Sequence, residues 1–191
     1  MMKLNVPAAF LILLTAAALS GCFPVVATGL GAGVMMADDR RTSGIYIEDE
    51  RIEIRAQADI AKLKNDKVHV NVTSFNRVVL LTGEVPDAAT RGTIEKLVAD
   101  VDNVNRVQNE LAIGRPSTLG ERSNDIYLTT KVKGRYLGNK SFSANHVKVV
   151  VEQGTVYLMG LVKHEEASAA AELSASTTGV KRVVKVFEYI D

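Results

Sequence analysis

The sequence predicts an α+β fold: two tandem αββαβ domains, each a small mixed three-stranded sheet with two helices on one face. Three observations predict it. The 191-residue chain repeats itself, with Val78–Val85 (VVLLTGEV) aligning without a gap on Thr155–Val162 (TVYLMGLV) and Gly83 falling on Gly160. The offset stays at 76 or 77 across the flanks, pairing Asp49 with Asp125, Val104 with Val180 and Arg106 with Arg182. Each copy also switches its apolar period in the same order: helical, alternating, helical, alternating. A duplicated unit of roughly 65–70 residues is too long for a solenoid repeat, so each copy is expected to have its own core.

In the first copy Ile52, Ala56, Ile60 and Leu63 recur at helical spacing, and in the second Leu128, Val132 and Tyr136 do. Two strands follow in each. Val68, Val70 and Val72 alternate, turn near Asn76 and continue through Val79 and Leu81. Val147, Val149 and Val151 alternate, turn at Gln153-Gly154 and continue through Val156 and Leu158. The second helices are expected from Asp87 to about Asp100, opened by Pro86-Asp87, and from about His164 to Ser176. Val104–Ile113 and Val180–Ile190 supply the last strands. Such a sheet buries one side of every strand. Glycines inside the second strands mark a bulge or a close backbone approach, with a helix as the expected neighbour. Gly114-Arg115-Pro116-Ser117 reads as a short polar linker that leaves the domains in touch.

The N-terminus carries a different signal. Lys3 precedes an apolar run from Pro7 to Leu19, shorter than the ~20 residues of a bilayer span. Then comes Leu-Ser-Gly-Cys, which holds Cys22, the one cysteine of the chain. This pattern resembles a bacterial lipoprotein signal. The resemblance implies a diacylglycerol on the Cys22 thiol, cleavage before Cys22 and acylation, as by palmitate, of the new amine. Phe23 in place of an aspartate implies an outer-membrane address, with the protein lipid-anchored and facing the periplasm. The expected organisation is a signal peptide over residues 1–21, the lipidated cysteine and a flexible tether over 22–46, the first domain over 47–114, a linker over 115–120 and the second domain over 121–191.

The strand with its glycine, the V-x-x-V opening of the last strand and their tandem recurrence behind a lipoprotein signal make the chain resemble the BON-domain family, an αββαβ module. The resemblance covers the whole chain. It implies a periplasm-facing protein that supports outer-membrane integrity, gathers at the cell-division site and binds anionic phospholipid, such as phosphatidylglycerol or cardiolipin, through its second BON domain.

No catalytic constellation is evident, so the reading is of a non-enzyme with no cofactor. No nucleophile–base pair or G-x-S-x-G is present. The glycines of GLGAG (Gly29 to Gly33) open no Rossmann unit. His69, His146 and His164 read as surface histidines without partners at ligand spacing, and no metal site is expected. The near balance of 23 Lys+Arg against 22 Asp+Glu argues against nucleic-acid binding.

The copies differ in charge. Residues 48–113 carry 9 basic against 12 acidic side chains, residues 121–191 carry 10 against 8. Glu48, Asp49, Glu50, Glu53 and Asp59 load the first helix with acid, whereas Lys131, Lys133 and Arg135 load its counterpart with base, with Lys140 just after. At 100° per residue, Leu128, Val132 and Tyr136 share the core face of that helix. Tyr127, Thr130 and Gly134 face outward, with Ile126 and Leu137 beside them and Lys131 and Lys133 on the flanks. An apolar-aromatic face bordered by cations suits an anionic bilayer, because a tyrosine ring sits at the interface and cations reach phosphates. The same face equally suits the seam with the first domain. The expected phospholipid-binding residues are Ile126, Tyr127, Thr130, Lys131, Lys133, Gly134, Arg135 and Leu137. The matching face of the first copy, Ile54, Ala58 and Ala61, lacks a basic border and is assigned the seam. The competing function is a protein-interaction adaptor docking an envelope-assembly or peptidoglycan-remodelling partner.

Overall fold

The computed structural model describes residues 39–191. Cys22, the signal peptide and the tether up to residue 38 lie outside the described residues. The first copy runs α1 (Ser43–Ala61), β1 (His69–Phe75), β2 (Val78–Val85), α2 (Ala88–Ala99), β3 (Arg106–Asn109) and β4 (Ala112–Ile113). The second runs α3 (Leu119–Leu137), a 3-10 turn (Ala144–His146), β5 (Lys148–Glu152), β6 (Thr155–Val162), α4 (His164–Ala175) and β7 (Arg182–Tyr189). Helix α1 begins inside the stretch read as tether, and α3 inside the one read as linker. Both starts have a chemical cause: the hydroxyl of Thr42 accepts from Ile45 N, and Thr118 forms a capping box with Glu121.

In each copy the hairpin is antiparallel and the last strand lies parallel to the second, giving the orders β1-β2-β3 and β5-β6-β7. The helix between the parallel strands is the crossover such a pair requires. The predicted single last strand of the first copy lapses at Glu110 and Leu111 but keeps its register, so that Leu81 pairs with Asn109 and Glu84 with Ala112. Both hairpins close through two residues of positive φ, Asn76 and Arg77 at 51° and 65°, Gln153 and Gly154 at 50° and 77°, the conformation that follows the twist of the strands.

Ile52, Ala56 and Ile60 pack with Val79, Leu81, Val85, Ile94 and Val98 to form one core. Val132 and Tyr136 pack with Val156, Leu158, Val162, Ala167 and Ala170 to form the second. A third core joins the copies: Phe75, Val78 and Leu80 of the first sheet meet Tyr157, Met159 and Val186 of the second. Central strand β2 is therefore buried at every residue, with helices against one face and the other sheet against the other. Two expectations change here. Strands are not buried on one side only, and the seam does not lie on α1, where Ile54, Ala58 and Ala61 are all exposed. The run VVLLTGEV, continuous rather than alternating, has the composition of a strand covered on both sides.

The glycines answer to the backbone at the start of each hairpin rather than to one of the long helices. A Cβ on Gly83 would fall on the carbonyl oxygen of His69, and one on Gly160 on that of His146. The close approach is by the first residue of β1 in one copy and by the last residue of the 3-10 turn before β5 in the other.

Candidate functional site

Helix α3 owes its two faces to its sequence. Leu128, Val132 and Tyr136 are buried, as their spacing predicts. The hydroxyl of Tyr136 donates within the core to Ala170 O at 3.0 Å and shares a 2.6 Å bond with Ser174 Oγ. Its ring meets Phe142 edge-on at 4.9 Å. Burial pushes the phenol up to about 12, so it stays neutral.

Among the described residues, nothing covers the opposite face. Ile126, Tyr127 and Leu137 are 69%, 60% and 79% exposed, and Thr130, Lys133, Gly134 and Arg135 are exposed with them. Leu119, at 82%, extends the stripe by two turns at the N-terminal end and was missed by sequence reasoning. The i, i+7 step from Leu119 to Ile126 carried the signal, hidden because Leu119 stood in the presumed linker. The face thus runs the length of a 19-residue helix, about 27 Å.

The expected cations divide. Lys131 is half-buried; its ammonium donates to Thr178 O at 2.8 Å and lies 5.3 Å from the ring centre of Tyr127. Arg135 donates to Thr177 Oγ1 at 2.9 Å, so the loop after α4 positions both. Lys133 projects from the other flank into a groove shared with Leu137, Lys148, Glu50, Tyr46 and Arg41.

Arg40 and Arg41, near the start of the described residues, tie this segment to both domains. Arg40 makes a two-pronged contact with Glu166 of the second domain, at 2.6 and 2.9 Å, and donates to Leu161 O. Arg41 pairs with Asp39 and, at 2.9 Å, with buried Asp49 of the first domain, stacking 4.0 Å over Phe75. Asp49 is no surface acid: it also accepts from Ser74 Oγ, Asn76 N and Arg77 N and so ties down the hairpin turn. Its repeat partner Asp125 does the same at Gln153 N and Gly154 N.

The histidines differ from expectation. His69 Nδ1 lies 3.0 Å from the buried carboxylate of Glu84. His146 is half-buried and 3.4 Å from Glu166. His164 is exposed as expected, yet it pairs with Asp191 at 2.7 Å and stacks on Tyr189. The first two acquire their acids from residues 15 and 20 positions away, beyond any local motif. Among the described residues, no helix is long and apolar enough to cross a membrane.

The BON domain family matches residues 48–115 and 124–191. Outer membrane lipoprotein DolP of Haemophilus influenzae is 37% identical over 175 residues, 91% of each chain. The 21 kDa hemolysin of Actinobacillus pleuropneumoniae is 34% identical, covering 80% of this chain and 79% of its own. Osmotically-inducible protein Y of Escherichia coli is 26% identical, covering 82% and 80%. None of the three bears the name of an enzyme. The agreement extends to the expected location, a lipid anchor at the outer membrane. With two matched domains and a relative that aligns along nine-tenths of its length, the chain belongs to the BON-domain family, as a DolP-like dual-BON protein.

Proposed function

We propose that this protein is a non-catalytic module, anchored through Cys22, that docks on anionic phospholipid through the outward face of α3 in its second BON domain. The observation that carries the reading is the uncovered stripe of Leu119, Ile126, Tyr127 and Leu137 flanked by Lys131, Lys133 and Arg135. Apolar side chains enter the interface and the cations remain at phosphate level, each worth ~1 kcal/mol near an anionic surface. Such affinity is weak alone. It suffices when the lipid anchor raises the effective concentration, and the chain joins the folded part at Arg41, in the groove that Leu137 and Lys133 line. The family resemblance adds the expectation of support for outer-membrane integrity at the division site.

The test is liposome co-sedimentation of the region from residue 38 onward. Vesicles with phosphatidylglycerol or cardiolipin should bind it and phosphatidylcholine vesicles should not, and added salt should release it. Replacing Ile126 and Tyr127 by serine, or Lys131 and Lys133 by glutamine, should weaken binding at least tenfold. Binding indifferent to anionic lipid, or a single protein partner crosslinked stoichiometrically at Tyr127 in cells with no lipid response, would assign the face to an adaptor instead.

A further inference from the structure

The seam between the domains is apolar at its centre but carries a polar group at one end. Glu84 is 1% exposed on β2, and Glu152 is 8% exposed on β5 of the other domain. With His69 they bring one ligand atom each to within 4.8 Å of one another. We propose that His69, Glu84 and Glu152 form a binding site for a divalent transition-metal cation of the zinc class, bridging the two BON domains.

The repeat itself shows that the fold does not need these polar groups. Where the second copy places Met159 and Leu161 on the seam face of β6, the first places Thr82 and Glu84 on the same face of β2. Apolar residues serve there in one copy, and burying a carboxylate in the other costs free energy unless it is compensated. The compensation within the protein is uneven. Glu84 accepts from Ser117 N at 2.9 Å, from Gln153 Nε2 and from His69, and Glu152 accepts from Asn71 Nδ2 at 2.8 Å. Among the described residues, no Lys or Arg forms an ion pair with either carboxylate. Burial, reinforced by the neighbouring Glu84 charge, pushes the Glu152 carboxyl up, whereas the hydrogen bonds on Glu84 outweigh its burial and hold it down. A cation between the two carboxylates would be attracted by both.

A separate observation points to a bound group. Thr82 Oγ1 is buried with no hydrogen-bond partner. It stands on the sheet face of Glu84, opposite Asn71, whose amide holds Glu152. A water completing the coordination of the ion would supply its missing bond. Imidazole with two carboxylates is a set that zinc accepts, three protein ligands leaving one position for water. The hydrogen bonds from Ser117, Gln153 and Asn71 are the outer contacts that orient such ligands. Glu84 and Gln153 also line an open cleft with Gly114, Glu121 and Lys181, a route for the ion from solvent. Because ligands come from both domains, binding would stabilise the seam.

The experiment uses the full chain without a histidine tag, in detergent, after treatment with EDTA. Calorimetric titration with zinc chloride should show one ion per chain, and saturating zinc should raise the melting temperature. Glu152→Gln should lower the affinity at least tenfold, and so should His69→Gln. Circular dichroism checks that each variant is folded, and the absorption of bound cobalt reports the site directly. Affinity should be unchanged in His164→Ala, which removes the exposed histidine–aspartate pair. No stoichiometric binding by the wild type, undiminished affinity in both seam variants, or loss in the His164 control would overturn the proposal.

Discussion

Asp49 and Asp125 occupy the same place in the two repeats and hold the hairpin turns through backbone N–H groups, but the turns differ at one residue. Arg77 adopts φ 65° where the second copy has Gly154 at 77°. A side chain in that region costs about 1 kcal/mol, and Nε of Arg77 is buried without a partner. Arg77→Gly should therefore raise stability by up to about 1 kcal/mol in urea titration, despite the added freedom of the unfolded chain. A loss would mean that the arginine stem contributes more packing than its backbone costs. The turns were legible from Asn76 and Gln153-Gly154. The role of Asp49 was not, because its acceptors' partners lie 25 to 28 residues away, as the hydrogen bonds to Ser74, Asn76 and Arg77 show. His69 and Glu84 face each other only because the hairpin register pairs them, and Glu152 joins from another domain.

Among the elements, α4 shows how a helix end can hold the start of the chain. Glu166 lies in its first turn, where the helix dipole favours an anion, and accepts from Lys163 N at 2.8 Å. The paired Arg40 guanidinium, foremost, holds its carboxyl down from the ordinary 4.5 to about 2. A depressed carboxyl contributes stability that is complete above its unfolded value and is lost as acid brings the pH through the folded one. The wild type should therefore lose stability between pH 4.5 and about 2, and Arg40→Ala should lose measurably less in that window in thermal melts. Equal losses would show that the pair contributes nothing. For α3 the 3.6-residue period made the buried and outward faces legible together. It could not tell membrane from domain seam, because an exposed apolar stripe looks the same in sequence whichever surface covers it.

At the scale of the whole molecule, the two αββαβ units share a core, so neither sheet is finished without the other. Leu80 is fully buried between them with Met159 and Tyr157 nearby. Leu80→Ala should cost about 3 kcal/mol, within the range for buried leucine. Calorimetry should show wild type and variant each melting in one transition, since the cavity opens in a surface common to both halves. Two resolved transitions would mean that the seam is weaker than either domain's own core. The duplication was plain in the sequence. The face-to-face sheets were not, because a strand apolar on both sides announces a second neighbour without naming it.

The neighbouring Arg40 and Arg41 have a mechanical consequence. Arg40 grips the second domain and Arg41 the first, one residue apart. Any pull arriving along the backbone from the N-terminal side thus meets a grip on the second domain and, one residue later, a grip on the first. The load falls on a joint that both halves share rather than on one half alone.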